Sequence, residues 1–421
     1  MNRLLFTLLL AGPAAALDFH DRDAVVAAAL ESHPTVTRMR AEAEAARERV
    51  TPSASLPNPM LMAGVQNKQV DLRNDEMMTM YMVGVSQTLV RPDRREALRA
   101  AAELEARAAE KLLDSAREEL RRDVLLAWYD LAAADAQLGA IAQVREMIDA
   151  VVAAARVRYE VGTAMQSEVI RAQLQASDLE HETLRLRGMR RAALARLLPL
   201  VGLPLETEVA ALVALSGKEP SADAAFSSAI GGSFAVYAAQ DDRLDGHAVL
   251  VALEADVARA EEGIRLAKLE RRPDVDLEAQ YGHRPVQRDM FSVVARVELP
   301  LRGKQLSEPR VREAMLRRDA ARARIEEERR ALVTAMNAAY VAHEDAANQL
   351  KFHHEVLMPQ SQLAFESTLA AYQTGKAPFD SILTTQADYL RLRLQYLELL
   401  ARQAQAVVRY EALRRGARGG A

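Results

Sequence analysis

The 421-residue sequence contains no cysteine, one tryptophan, 18 glycines and 15 prolines. Without cysteine the chain has no disulfide scaffold, no thiolate nucleophile and no cysteine-ligated metal site. Aromatic residues make up 5% of the chain and hydrophobic residues 50%, so alanine, leucine and valine dominate the apolar content. This composition is typical of long helices rather than a β-sandwich or an α/β sheet. The 55 basic and 59 acidic residues nearly balance, which gives no reason to expect nucleic acid as a partner.

The first 16 residues have the order of features of a secretory signal peptide. A basic start at Arg3 precedes the apolar stretch Leu4–Ala11 and the small residues Ala14–Ala16. We therefore expect cleavage after about Ala16 and export of the mature chain. Because no cysteine follows, we expect no lipoprotein anchor. No run of 18 apolar residues occurs beyond this segment, so any membrane residence must use β-strands.

The sequence contains an internal duplication with an offset of about 213 residues. Arg158–Gln173 and Ala371–Gln386 align without gaps, and both contain a Tyr-x-x-Gly turn. A repeat of this length is a copied subdomain rather than a solenoid unit. The predicted organisation is a signal peptide (1–16), repeat 1 (17–199), an equatorial connector (200–246), repeat 2 (247–415) and a disordered tail (416–421).

Each repeat is predicted to run helix, strand, strand, long helix, turn, long helix. Repeat 1 is expected to begin with one helix over about 21–52, followed by long helices near 92–159 and 167–198. Repeat 2 is expected to have helices near 247–270, 309–372 and 379–415. Apolar positions in the long helices step by threes and fours, which indicates antiparallel coiled-coil hairpins. The predicted fold class is therefore mainly α with a small β part.

Four short segments alternate apolar and polar residues as β-strands do. In Val275–Gly282, for example, Val275, Leu277, Ala279 and Tyr281 alternate with polar residues and glycine. Such strands fit a membrane β-barrel, with apolar side chains facing lipid. A soluble hairpin that packs one face on the helices would show the same alternation. Four strands cannot close a barrel, so membrane residence would require several copies to share one barrel. Three copies would give twelve strands, an even number within the known range, and twelve long helices for a tunnel.

Three short motifs and the duplication give the sequence its resemblance to a known family. The motifs are Leu56-Pro-Asn-Pro59, Gly84-Val-Ser-Gln87 and Arg272-Pro-Asp274. With the two Tyr-x-x-Gly turns, the ordered set resembles the TolC-like outer-membrane efflux protein family. The resemblance implies a homotrimeric exit duct in the outer membrane that continues as a periplasmic tunnel. It also implies a periplasmic adaptor (membrane fusion) protein and an inner-membrane transporter as partners, in a tripartite efflux or type I secretion system.

The resemblance places adaptor contacts and a gate at the two helical turns. The implied adaptor contacts are Val161, Gly162, Thr163 and Ala164 in the first turn, and Thr374, Gly375, Lys376 and Ala377 in the second. Members of the family often carry an aspartate pair inside the second turn, but Ser381 and Thr384 occupy those positions here. We therefore expect a mixed gate ring of Glu168, Arg171 and Asp380 instead. Ordinary solvated charges at helix starts are the alternative.

Methionines cluster in and between the first two strands, at Met60, Met62, Met77, Met78, Met80 and Met82. The segment Asn74–Met80 is similar to the heavy-metal efflux branch of the family, and thioethers suit Cu(I) or Ag(I). Methionine also fills irregular surfaces without any metal, so both interpretations stay open and no fixed metal site is predicted. No nucleotide-binding, hydrolase or zincin motif occurs, so we expect neither catalysis nor a cofactor.

Two other functions remain open from the sequence. A periplasmic coiled-coil adaptor has a single helical hairpin flanked by β domains, whereas this sequence repeats the hairpin. A soluble coiled-coil scaffold needs neither a signal peptide nor lipid-facing strands. The exit duct accounts for more of the sequence features than either alternative.

Overall fold

The computed structural model describes residues 19, 21–68, 77–203, 244, 246–298, 303–374 and 376–416. It contains long helices and one four-stranded antiparallel sheet. The elements in chain order are α1 (Arg22–Ser32), α2 (Pro34–Ala54), β1 (Met60–Gln66), β2 (Met80–Leu89), α3 (Pro92–Glu160), α4 (Gln166–Leu200), α5 (Ala248–Leu269), β3 (Val275–His283), β4 (Met290–Val297), α6 (Gly303–Phe352), a π-helical turn (His353–Leu357), α7 (Met358–Gln373) and α8 (Phe379–Gly416). The mainly helical fold class with a small β part is confirmed.

Two of the expected helices differ from the structure at prolines. The single helix over 21–52 is wrong, because α1 ends before His33 and α2 begins at Pro34. His33 is extended, with φ −69° and ψ 129°, since the proline ring disfavours the helical region for the residue before it. The helix expected over 309–372 is also interrupted. The amide of Met358 bonds to the carbonyl of His353, which closes a π-helical turn directly before Pro359. Pro359 has no amide hydrogen for an ordinary helical bond.

The chain divides into two compact units. The strand unit comprises Arg38–Leu113 and Ala248–Arg329, and the turn unit comprises the described residues up to Thr37, Asp114–His247 and those from Arg330 onward. In the strand unit the sheet has the order β1-β2-β3-β4, so strands from both halves of the chain share one sheet. β2 pairs with β3 along nine residues, from Tyr81 opposite His283 to Leu89 opposite Val275.

The helices of the strand unit pack through small side chains and ion pairs. Ala108 of α3 is buried against Ala252 and Ala255 of α5, and alanine allows such close approach because it has only a methyl group. Arg–Glu pairs flank these contacts, for example Arg322 to Glu261 at 2.8 Å. Exposed pairs of this kind contribute little individually, so they add to the buried contacts rather than replace them.

The turn unit has an aliphatic core between α3, α4 and α8. Its buried residues are Ile141, Val144, Ile148, Leu179, Leu186 and Leu390. The buried positions of α4 include Ala172, Leu179, Leu186 and Ala193, which are seven residues apart. This heptad spacing is the coiled-coil stripe that the sequence predicts. Among the described residues, no helix carries an apolar segment long enough to cross a membrane.

Candidate functional site

The two turns that reverse the chain are built by the same hydrogen bonds. In the first, the amide of Thr163 donates to the carbonyl of Arg158 at 2.8 Å, and the amide of Ala164 donates to the same oxygen at 3.2 Å. In the second, Lys376 and Ala377 donate to the carbonyl of Ala371 at 2.8 and 3.2 Å. Donors and acceptors are all 213 residues apart. The duplication seen in the sequence therefore extends to the backbone hydrogen bonds of the turns.

The first turn is a Schellman motif centred on Gly162. Gly162 has φ +76°, and its amide donates to the carbonyl of Tyr159 at 2.9 Å. The bond from Thr163 to Arg158 completes the motif. Glycine adopts positive φ without the steric penalty that a Cβ atom brings, which explains why glycine occupies position 162. Gly375, the corresponding predicted adaptor contact of the second turn, lies outside the described residues.

Most of the predicted adaptor contacts are accessible. Val161, Gly162 and Thr163 are exposed and Ala164 is half-buried, while Thr374 and Lys376 are exposed and Ala377 is half-buried. Val161 and the neighbouring Met165 are each more than 70% exposed. Two large apolar side chains in one short turn are unusual for a surface that only meets water. Their role in adaptor contact stays a prediction.

An aromatic and aliphatic cluster holds the two turns together. Ala155, Ala172 and Phe379 are buried in it, and they come from α3, α4 and α8. The ring of Tyr372 packs on Phe379, with centroids 5.7 Å apart. The guanidinium of Arg158 also lies over the ring of Tyr372, 4.8 Å from its centre. The end of α3 in one repeat is thereby fixed against the end of α7 in the other.

The predicted gate residues lie in the first two turns of α4 and in the first turn of α8. Arg171 donates to the carboxylate of Asp380, so this ion pair joins two helices of the same chain. The hydrogen bond raises the pKa of Arg171, whose side chain is exposed. Glu168 does not join this pair, and its Oε2 atom is buried without a hydrogen-bond partner among the described residues. The gate role of the three residues stays a prediction.

The motif residues before and within the sheet have structural roles that are not evident from the sequence. The side chain of Gln87 donates to the carbonyl of Pro57 at 2.8 Å, which ties the end of β2 to the entry of β1. Asp274 accepts from the amide of Arg91 at 3.2 Å and also from the side chain of Arg94. These contacts set where α3 and β3 begin.

The sheet carries opposite chemistry on its two faces. One face is apolar and exposed, and Phe291 and Val293 of β4 are 71% and 66% accessible. The register places Leu61, Val85, Ala279 and Val293 in one row across all four strands of this face. On the other face Glu278 is buried and accepts hydrogen bonds from Arg296 and Gln280. Exposed aliphatic rows opposite a polar face fit contact with lipid better than contact with water.

The exposed apolar face also decides between the two interpretations of the strand alternation. A soluble hairpin would bury its apolar face on helices of the chain. In the described residues the apolar rows are instead the accessible ones, and the polar Glu278 is the buried one. The physical inference is that another apolar phase or another chain covers this face.

Comparison with known proteins supports the same architecture. The family model of the outer membrane efflux proteins matches residues 25–203 and 241–414. No curated protein matches the chain significantly.

Several solved structures share the fold. The outer membrane protein VceC from Vibrio cholerae is 18% identical, with a TM-score of 0.74 over 93% of this chain and 95% of that one. A membrane protein from Pseudomonas aeruginosa is 18% identical, with a TM-score of 0.78 over 94% and 93%. The open state of the MtrE outer membrane channel from Neisseria gonorrhoeae is 16% identical, with a TM-score of 0.77 over 95% and 92%. With a family model that matches most of its length, the chain belongs to the outer membrane efflux protein family.

Proposed function

We propose that the protein is the outer-membrane exit duct of a tripartite efflux or type I secretion system. Substrate would pass through it passively from the periplasm or the pump to the exterior, and the energy would come from the partners. The observation that carries the proposal is the four-stranded sheet with its accessible apolar rows. A sheet in contact with lipid must have no free edge, because lipid offers no hydrogen bonds to unpaired backbone groups. β1 and β4 form the two edges of the sheet.

Three copies would close these edges on one another. Each copy would contribute four strands to a barrel of twelve, and its long helices would form a tunnel of twelve in the periplasm. Accessible apolar residues on the helices support such an assembly. Ile170, Leu174 and Leu184 are exposed on α4, and Phe352 and Leu363 are exposed near the π-helical turn and on α7. A single chain leaves these side chains in water, whereas neighbouring copies would cover them.

The test is to express the full chain, with its proposed cleavable signal peptide, in a Gram-negative host. We expect recovery in the outer-membrane fraction, migration as a trimer that heating converts to monomer, and stepwise conductance in planar bilayers. A soluble periplasmic adaptor or scaffold would appear in the osmotic-shock fluid and form no channels. Recovery in that fraction would contradict the duct.

We further propose that the turns at 161–164 and 374–377 contact a periplasmic adaptor that bridges to an inner-membrane transporter. The exposed Val161 and Met165 give the first turn an apolar surface for a partner helix. Cysteine pairs are easily introduced for crosslinking because the chain has no native cysteine. A cysteine at Val161 should crosslink to the adaptor in cells, and one at the exposed Leu316, which lies in the strand unit on α6, should not.

The charged residues near the turns are proposed to form the closed gate. In a trimer, three-fold symmetry would place Glu168, Arg171 and Asp380 in one ring, and the pair of Arg171 with Asp380 would hold α4 and α8 together. Arg171→Ala should raise single-channel conductance and make cells that contain the adaptor more sensitive to toxic compounds. Arg187→Ala is a matched control, because Arg187 is also exposed on α4 and is 4.0 Å from the carboxylate of Glu180. Unchanged conductance in Arg171→Ala would remove the gate from the proposal.

Heavy-metal ions are the substrate class that the methionine-rich strands favour, with drugs as the alternative. Deletion of the gene should lower copper or silver tolerance if metals pass through the duct. Unchanged metal tolerance with lost drug tolerance would contradict a metal substrate.

A further inference from the structure

Methionines and glycines alternate across the polar face of the sheet. Five methionines lie on this face: Met60, Met62, Met80, Met82 and Met290. The register places Met82 between Gly64 on one neighbouring strand and Gly282 on the other. Met290 of β4 lies opposite Gly282 from the other side. Gly282 therefore has a methionine on each adjacent strand.

The space above Gly282 already holds one thioether. A Cβ atom on Gly282 would lie 2.3 Å from the sulfur of Met80, so the Met80 side chain occupies the room that glycine leaves. Met82 and Met290 flank the same glycine at a distance of one strand each. Strands are about 4.8 Å apart, which lets flexible methionine side chains from both neighbours reach a common point. The strand register thus places Met80 and Met82 of β2 and Met290 of β4 around one glycine, within reach of a common point.

Thioether sulfur is a specific kind of ligand. It is soft, uncharged and not protonated in the physiological pH range, and it selects soft monovalent ions such as Cu(I) over hard cations. The charged side chains of this face within the described strands are Asp276, Glu278 and Arg296. Asp276 and Glu278 lie toward the opposite end of β3 from Gly282, and Arg296 lies across from Asp276 on β4 and pairs with Glu278. At the Gly282 end of this face, the described strands therefore present methionine sulfurs rather than charged groups.

We propose that Met80, Met82 and Met290 form a site above Gly282 for a soft monovalent metal ion, Ag(I) or Cu(I). The proposal deepens the proposed function and rests on it, because the polar face lines a lumen only if the strands form the shared barrel. Three copies would then present three equivalent thioether sites at one level of the duct. Several sites of modest affinity suit conduction, since an ion must leave each site as readily as it enters.

Leucine substitution separates metal binding from packing. If methionine only fills space on this face, leucine of similar volume serves equally well. The test variant carries Met80→Leu, Met82→Leu and Met290→Leu together. The matched control carries three leucines at exposed methionines of the helices: Met147, Met189 and Met315.

The probe is silver nitrate, titrated calorimetrically into the purified full chain in detergent and chloride-free buffer. We expect the wild type and the helix control to bind about one Ag(I) per chain that the strand variant lacks or binds at least tenfold more weakly. The difference should persist at pH 5, because thioethers do not titrate there whereas free histidines become protonated. Equal binding by the strand variant and the wild type at pH 5 would overturn the site.

Single-channel conductance tests the duct independently of the metal site. A wild type that conducts but shows no methionine-dependent silver binding leaves the duct intact and refutes the site. Methionine-dependent binding by a protein that forms no channels supports the site and refutes the duct. Trimer migration of both leucine variants on gels shows that each has folded, so lost binding cannot be assigned to unfolding.

Discussion

Replacement of Gly162 by alanine tests the first turn directly. Gly162 has φ +76°, a conformation in which an L-residue costs about 1–2 kcal/mol. No atom lies within 4 Å of the Cβ that alanine would add, so steric collision contributes nothing and the backbone cost stands alone. The bonds from Thr163 and Ala164 to Arg158 depend on this conformation. Their opening should become easier by the same amount, which is about 5–30-fold in the equilibrium constant.

Hydrogen–deuterium exchange of peptides that span the turn measures this opening. We expect the amides of Thr163 and Ala164 to exchange about 5–30-fold faster in Gly162→Ala. The control is Gly188→Ala, because Gly188 lies inside α4 and its added Cβ also meets nothing within 4 Å. Alanine is preferred to glycine within a helix by about 0.5–1 kcal/mol, so exchange near Gly188 should slow. Unchanged exchange in the first variant, or the same acceleration in both, would refute the reasoning.

Three further predictions concern other parts of the molecule. Tyr372→Phe should leave thermal stability unchanged or slightly raised, because the hydroxyl is buried without a hydrogen-bond partner among the described residues. Tyr372→Ala also loses the contacts of the half-buried ring with Arg158 and Phe379 and should cost about 1–3 kcal/mol. Burial lowers the pKa of His247. As the pH falls below about 6.5, the unfolded chain therefore binds a proton that the folded chain does not, and the free energy of unfolding decreases. His247→Gln should reduce this decrease between about pH 7.5 and 5.5, measured by urea titrations. Gly84→Ala should destabilise the proposed trimer on heated gels by about 1–3 kcal/mol, because the added Cβ would lie 3.0 Å from a backbone oxygen of β3. The Cβ added by Gly64→Ala meets no atom within 4 Å, so this variant should behave as the wild type.

Much of the fold follows from local patterns. The strict alternation in Val275–Gly282 predicted β3, which the structure gives as Val275–His283. The spacing of apolar residues by three and four positions predicted the ends of α3 and α4 to within two residues. Such patterns are reliable because side-chain periodicity and backbone geometry are linked residue by residue.

The missed features arise from competition between local preferences. His33 lies inside a helical pattern, but Pro34 forces it out of the helix and splits α1 from α2. Pro359 falls within the expected long helix. The π-helical turn before it keeps the chain helical, with one more residue in the turn than an α-helix has. A sequence pattern identifies the proline, but not whether the helix breaks or absorbs it, because packing against the neighbouring helices decides the outcome.

The candidate sites divide in the same way. The two Tyr-x-x-Gly turns were evident from the sequence, since a tight turn requires a residue that tolerates positive φ. The contact between Arg171 and Asp380 was not evident as a contact within one chain, because it joins residues 209 positions apart. The position of Met290 was likewise not evident, because only the pairing of β3 with β4 places it opposite Gly282.

The sequence by itself determined the element types, the duplication, the two turns and the family resemblance. These features depend on periodicity, composition and short motifs, which are local properties of the chain. The tertiary structure decided that strands from both repeats form one sheet, that its apolar rows are the accessible ones, and that methionines of β2 and β4 flank one glycine of β3. Those facts depend on strand register and on contacts between distant segments, and no local rule specifies either of them.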